Sequence, residues 1–144
     1  MKLFKGRSGF TLIELLVVIL ILAILMAIAL PLYLRAVADS QRQTCRSNMQ
    51  TIANAEQAYK VRSAAHVYTD DLVVATSPLL TGTNSGDLQA LPVCPTAGIY
   101  TAAIHLVAET VKASDGTTDI VAPAGSITIT CSEHGNFTPG MDSS

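Results

Sequence analysis

An apolar run near the N-terminus constrains this chain more than any other feature. Residues 10–34 contain a single charged side chain, Glu14, and the stretch from Leu15 to Leu30 is apolar throughout. Folded as one helix, residues 10–33 would measure about 36 Å, which exceeds the ~30 Å hydrocarbon core of a bilayer. The run therefore predicts a membrane-spanning helix, and a carboxylate inside such a helix is a candidate functional residue.

A short basic leader precedes the apolar run. Residues 1–9 carry Lys2, Lys5 and Arg7 but contain no apolar stretch of their own. Positive charge on this side of the span favours a cytoplasmic N-terminus. An ordinary secretory signal, cleaved at the small residues Ala27–Ala29, is the alternative. That alternative explains the basic start and the apolar run, but it gives no reason for an acid within the run.

The segment Gly9-Phe10-Thr11-Leu12-Ile13-Glu14-Leu15 resembles the processing and methylation motif of type IV pilins and type II secretion pseudopilins, and the resemblance continues to about Arg62. It implies that a prepilin peptidase cuts after Gly9, that Phe10 is N-methylated, and that Glu14 neutralises the terminal amine of a neighbouring subunit. It also implies an inner-membrane assembly platform and a homo-oligomeric helical filament. Physical chemistry agrees, because an amine and a carboxylate that are each costly in apolar surroundings are relieved by pairing.

The helix is expected to continue beyond the membrane span as an amphipathic segment, residues 35–62. Apolar side chains recur there at the three- and four-residue steps of one buried helix face: Leu34, Val37, Ala38, Cys45, Met49, Ile52 and Tyr59. Pro31 lacks an N–H group and crowds the carbonyl of Ala27, so a kink or local opening is expected there. In the resembling family the segment around this proline can lose helicity in the filament, which implies a role for Pro31 in assembly.

A globular head, residues 63–144, is expected to cover the amphipathic segment. It begins with a connecting region, residues 63–98, in which one short capped helix is predicted within residues 64–74 and a loop at residues 81–86. A β-sheet over residues 99–137 and a tail over residues 138–144 complete the head.

The composition of the second half of the head favours antiparallel strands. One long strand or two are predicted over residues 99–112 and another over residues 119–122, with a turn at Ser114-Asp115-Gly116-Thr117 between them. Alternation over Ser126–Cys131 places Ile127, Ile129 and Cys131 on one face. The predicted fold is therefore α+β, with a long N-terminal helix packed on a small antiparallel sheet. The family resemblance implies the same pilin-like arrangement.

Three cysteines raise the question of redox chemistry. In an extracytoplasmic domain a disulfide between Cys94 and Cys131 is predicted, which would join the two ends of the sheet. The pattern Cys94-Pro95-x-x-Gly98-x-Tyr100 with Cys131-x-x-His134-Gly135 also resembles a recurring C-terminal pattern among pilin-like proteins. Cys45 lies on the apolar helix face and is most simply a buried thiol, although it could capture either of the other two cysteines.

No cofactor is predicted, but two metal sites stand as alternatives. Cys131-x-x-His134, together with Cys94 and a fourth ligand such as Cys45, could form a tetrahedral zinc site, although the spacing supplies only one tight pair. The segment Asp115–Asp119 offers oxygen ligands for calcium but few carboxylates.

The sequence favours a structural role over an enzymatic one. The three histidines are scattered, and neither a nucleophile elbow nor a phosphate-binding glycine loop is present. Residues 63–144 carry eight acids and one base, Lys112, which disfavours nucleic-acid binding by this chain. The predicted function is a subunit of a type IV pilus-like filament at the cell surface or in the periplasm, made as a single-pass inner-membrane precursor. The alternatives are a pseudopilin of a type II secretion or DNA-uptake system and, from another class, a secreted or anchored binding domain with an ordinary signal peptide.

Overall fold

A long helix dominates the N-terminal part of this computed structural model, which describes residues 9–72, 77–81, 88–113 and 116–141. Helix α1 spans Leu12–Arg62, a length of 51 residues. Its sequence contains no glycine and a single proline, Pro31, so few of its residues oppose helix formation. The helix ends where Ser63 N–H donates to the Tyr59 carbonyl at 2.7 Å and His66 adopts a positive φ of 51°.

The remaining elements follow in chain order. They are α2 (Pro78–Thr81), β1 (Tyr100–His105), β2 (Glu109–Lys112), β3 (Asp119–Ala122), β4 (Ser126–Cys131) and β5 (Gly135–Phe137). Strands β1, β4 and β5 form one antiparallel sheet with β4 in the middle, and β2 pairs with β3 in a separate antiparallel hairpin. The chain divides into two units, Met1–Asp39 and Ser40–Ser144, and α1 contributes to both.

The N-terminal unit presents an uncovered apolar helix. An 18-residue window of α1 has a mean hydropathy of 3.3 and is 0% buried. By length and composition this helix can cross a membrane. Apolar side chains without cover in their own unit need lipid or another chain around them, so the structure agrees with the membrane helix predicted over residues 10–34.

The core of the C-terminal unit lies between the second half of α1 and the three-stranded sheet. Its buried members are Cys45, Met49, Ile52, Ala53, Cys94, Ile127, Ile129, Cys131 and Phe137. The helix contributes side chains from successive turns of its apolar face, and β4 contributes its inward-facing side chains. The core therefore joins a face with helical periodicity to one with strand periodicity.

Strand β4 lies between β1 and β5 and has buried side chains on both of its faces. Ile127 and Ile129 face the core, as the alternation predicts. Thr128 points the other way and is also buried, since its hydroxyl lies 2.8 Å from His105 Nε2 and 2.8 Å from Thr138 Oγ1. The opposite face of β4 is therefore covered by a hydrogen-bonded polar group.

The predicted α+β class is confirmed, with a long helix packed on small antiparallel sheets. Residues 99–112 form two strands, and residues 119–122 and 126–131 form strands as predicted. The hairpin between β2 and β3 is present, although Ser114 and Asp115 of its predicted turn lie outside the described residues.

Three expectations differ from the structure. The helix predicted within residues 64–74 is wrong as far as residue 72, and the short helix α2 comes later. The strands divide into two sheets, with the short strand β5 as the third member of the first sheet. Helix α1 is unbroken through Pro31, so the local opening that was one of two expectations there is absent, and the other, a kink, stays a prediction. Most of the loop predicted at residues 81–86 lies outside the described residues.

Candidate functional site

The predicted cleavage site lies in an exposed, non-helical segment directly before α1. Gly9 and Phe10 are both exposed, and a Cβ added at Gly9 would meet nothing within 4 Å. Helix α1 begins two residues after Phe10, at Leu12. Within the described residues, neither regular backbone hydrogen bonding nor a side chain near Gly9 shields this peptide bond, so it is accessible there.

Glu14 caps the helix of its own chain. Its Oε2 accepts hydrogen bonds from Thr11 N–H at 2.9 Å and from Thr11 Oγ1 at 2.6 Å, while Glu14 N–H donates to Thr11 Oγ1 at 3.3 Å. This reciprocal arrangement is a capping box, in which Thr11 is the N-cap and the acid sits three residues later. The pattern Thr-x-x-Glu before an apolar run could have been recognised in the sequence, and the sequence analysis missed it.

A second group of reactive side chains converges inside the C-terminal unit. Cys45 comes from α1, Cys94 from the segment before β1, Cys131 from the end of β4, and His134 from the turn between β4 and β5. One ligand atom from each lies within 4.8 Å of all the others. The three thiols are buried and the imidazole is half-buried. The structure therefore brings together every residue predicted for the disulfide and the alternative zinc site.

The predicted disulfide itself is not seen. Cys94 Sγ and Cys131 Sγ lie 3.6 Å apart, whereas a disulfide requires about 2.05 Å, and all three cysteines are free thiols. His134 Nδ1 lies 3.4 Å from Cys94 Sγ and 3.8 Å from Cys131 Sγ. These three distances are those of polar groups in contact without a covalent bond between them.

The surroundings act differently on two of the thiols. Burial raises the pKa of Cys94, but hydrogen bonds from Thr96 and from the Gly98 N–H outweigh it, and the pKa falls to about 6. Burial raises the pKa of Cys45 to about 12, although the Tyr100 hydroxyl, which donates to Cys45 Sγ at 3.4 Å, acts in the opposite direction. The segment after Cys94 is thus arranged to stabilise a thiolate.

Gly98 and Tyr100 belong to the sequence pattern noted around Cys94, but their roles beside the cluster, and the contribution of Asn48, come only from the structure. An added Cβ at Gly98 would lie 2.7 Å from Cys131 Sγ and 3.2 Å from Cys94 Sγ, so only glycine lets the backbone pass this close to both sulfurs. Asn48 Nδ2 donates to the Val93 carbonyl at 2.9 Å and to the Tyr100 hydroxyl at 3.2 Å. These hydrogen bonds join residues that are distant in the sequence, so no local sequence pattern predicts them.

The calcium alternative gains little from the structure. Asp119 Oδ1 lies 2.6 Å from Lys112 Nζ on the paired strand, so this carboxylate already has a cationic partner. Asp115, the other carboxylate of that segment, lies outside the described residues.

Comparison with known protein families places the N-terminal segment in a defined class. Residues 4–30 match the prokaryotic N-terminal methylation motif. Comparison with curated proteins and with solved structures gave no match. The chain carries the N-terminal signature of type IV pilins and pseudopilins, and this signature points to a structural subunit rather than an enzyme.

Proposed function

We propose that this protein is the structural subunit of a type IV pilus-like filament. In this proposal a prepilin peptidase hydrolyses the Gly9–Phe10 bond at the cytoplasmic face of the inner membrane, and Phe10 becomes the N-methylated terminus. The subunit then leaves the membrane and polymerises through the apolar half of α1. The observation that supports it most is the methylation motif over residues 4–30. This motif contains the exposed Gly9–Phe10 bond and continues into an uncovered apolar helix.

The uncovered helix explains why the subunit would polymerise. Its apolar window is 0% buried in the single chain, so it requires either lipid or equivalent helices from other subunits. In a filament, a bundle of these helices would surround each apolar helix with helices of other subunits in place of lipid. The C-terminal unit has its own buried core, so its folding does not require the apolar window of α1.

Glu14 would have two successive partners. In the precursor its carboxylate receives both hydrogen bonds from Thr11. Cleavage leaves a cationic amine at Phe10, and a carboxylate in an apolar bundle is stabilised by pairing with such an amine on a neighbouring subunit. Before assembly, Thr11 donates hydrogen bonds to the Glu14 carboxylate. In the filament, the amine of a neighbouring subunit neutralises the charge of this carboxylate.

Substitutions at positions 14 and 11 separate the charge from the cap. Glu14→Gln keeps a side chain that can reach back to Thr11, because glutamine also serves in capping boxes, but it has no charge. Thr11→Ala removes the two hydrogen bonds of the Thr11 hydroxyl and keeps the acid and the Thr11 N–H. We expect Glu14→Gln to be inserted and cleaved yet to form no filaments, whereas Thr11→Ala should still form them. Normal filaments from Glu14→Gln would show that the charge pair does not drive assembly.

The mature N-terminus distinguishes this proposal from an ordinary signal peptide. Mass spectrometry of the processed protein should find a chain that starts at N-methylated Phe10. A chain that starts at Leu30, after cleavage at Ala27–Ala29, would refute the proposal. Electron microscopy then separates a pilin from a pseudopilin, since surface filaments that disappear on deletion of this chain are expected only for the pilin.

A further inference from the structure

The cluster of Cys45, Cys94, Cys131 and His134 has the composition and the dimensions of a metal site. A zinc ion held at 2.3 Å from sulfur and about 2.05 Å from nitrogen in a tetrahedron separates two sulfurs by about 3.8 Å and a sulfur from a nitrogen by about 3.6 Å. The corresponding distances are 3.6 Å between the sulfurs of Cys94 and Cys131, and 3.4 and 3.8 Å from those sulfurs to His134 Nδ1. Every remaining pair of ligand atoms, including those with Cys45, is within 4.8 Å.

We propose that these four side chains bind one Zn²⁺ ion as a closed Cys3His site. Four protein ligands leave no position for water or substrate, so the role of the ion would be structural. It would tie α1, the segment before β1, the end of β4 and the following turn to a single point inside the Ser40–Ser144 unit. The proposal concerns this unit alone and does not depend on the filament function.

The groups around the cluster suit a bound metal. Three thiolates and one Zn²⁺ leave one net negative charge, which is costly in a buried site unless hydrogen-bond donors face it. Such donors are present, because the Thr96 hydroxyl lies 3.3 Å from Cys94 Sγ and the Tyr100 hydroxyl donates to Cys45 Sγ. Asn48 in turn donates to the Tyr100 hydroxyl at 3.2 Å, which fixes its orientation.

A disulfide between Cys94 and Cys131 is the rival explanation, and it accounts for fewer of the observations. It would use two of the four converging groups and leave Cys45 and His134 against them without a role. It would also require the two sulfurs to close from 3.6 Å to about 2.05 Å. A zinc ion uses all four groups at nearly their observed separations.

The first experiment measures metal binding by the unmodified full-length chain. The chain is purified in detergent without a histidine tag, under reducing conditions, and its zinc content is determined by mass spectrometry. We expect one zinc per chain. Replacement by Co²⁺ should give the visible bands of a tetrahedral site and the near-ultraviolet bands of thiolate-to-cobalt charge transfer. A reduced chain that retains neither metal, or a cobalt spectrum without thiolate bands, would overturn the proposal.

The second experiment uses single substitutions to test each ligand. Cys45→Ala and His134→Gln should each lower zinc affinity by more than the ~10–100-fold typical of losing an outer-shell partner, and Tyr100→Phe should fall within that range. His66→Asn is the matched control, because His66 is exposed, outside the cluster and at a positive φ that asparagine tolerates. Full zinc binding by Cys45→Ala and His134→Gln would contradict the four-ligand site.

The third experiment decides between zinc and the disulfide in the protein as cells make it. Chain isolated from the cell envelope with no reductant is treated with an alkylating reagent, and its intact mass is measured. With zinc bound, the three thiols should be protected until a strong chelator is added and should then all react. A mass lower by two hydrogens, with only Cys45 open to alkylation, would establish the disulfide and refute the zinc site.

Discussion

Replacing Gly98 with alanine should destabilise the C-terminal unit, because the backbone at this position passes close to two buried sulfurs. An added Cβ would lie 2.7 Å from Cys131 Sγ, 3.0 Å from Glu133 Cγ and 3.2 Å from Cys94 Sγ. Glu133 is exposed, so its side chain can move aside. Ordinary contacts begin at 3.4 Å, and the sulfur of Cys131 must therefore retreat by about 0.7 Å, the difference between 3.4 and 2.7 Å.

The backbone of Cys131 cannot supply this movement. Cys131 is paired with Tyr100 on β1 and with Gly135 on β5, so hydrogen-bonded neighbours hold both edges of β4 at this position. The displacement falls on a side chain that is 1% exposed. Overpacking of this kind costs about 1–3 kcal/mol, which corresponds to an increase of about 5- to 150-fold in the population of the opened unit.

Hydrogen exchange of the amides in β4 measures this effect in the full-length chain. The experiment is done on reduced protein with a zinc chelator, so that packing alone is compared. Gly98→Ala should speed exchange by about 5- to 150-fold. In a Cys131→Ala background the nearest sulfur is gone, and the penalty of Gly98→Ala should be clearly smaller. An unchanged exchange rate, or an equal penalty in both backgrounds, would refute the steric argument.

Three further substitutions test the C-terminal unit by the same exchange measurement. Ile52→Ala should lower the free energy of unfolding by about 2–5 kcal/mol, because Ile52 is fully buried. Val61→Ala, on the exposed side of α1, is its control and should change the free energy of unfolding by less than about 0.5 kcal/mol. Ala97→Gly should stabilise the unit by up to ~1 kcal/mol, because relief of a φ of 61° exceeds the entropic cost of glycine, and a loss of stability would argue against strain there. Lys112→Ala should cost less than about 1 kcal/mol, because its 2.6 Å contact with Asp119 is exposed to solvent, and a larger loss would mean that the pair is shielded.

The N-terminal site could be predicted from the sequence because all of its parts are local. The cleavage motif, the acid at position 14 and the apolar run occupy consecutive residues, and the periodicity of one helix relates them. The capping role of Glu14 was available in the same residues, since Thr11 precedes it by the spacing of a capping box. The charge of Glu14 predicts pairing with an amine, whereas its hydrogen bonds to Thr11 were recognised only in the structure.

Tertiary contacts explain why the helix predicted within residues 64–74 does not form as far as residue 72. The buried carboxylate of Glu56 accepts a hydrogen bond from the Thr69 N–H at 3.0 Å, and Lys60 Nζ lies 4.2 Å from the centre of the Tyr68 ring. Tyr68 and Leu72 also pack against the core. These contacts with α1 hold the segment in a non-helical path, and they outweigh a weak local preference for helix.

The sequence by itself determined the apolar N-terminal helix, the methylation motif and most of the strands, because each depends on the periodicity or the order of neighbouring residues. Only the tertiary structure decided that the three sulfurs and the imidazole of His134 converge. Cys131 and His134 are close in the sequence, but Cys45 and Cys94 reach them only after α1 has packed on the three-stranded sheet. The meeting of four groups from four segments depends on side-chain packing in three dimensions, and spacing along a chain does not encode it.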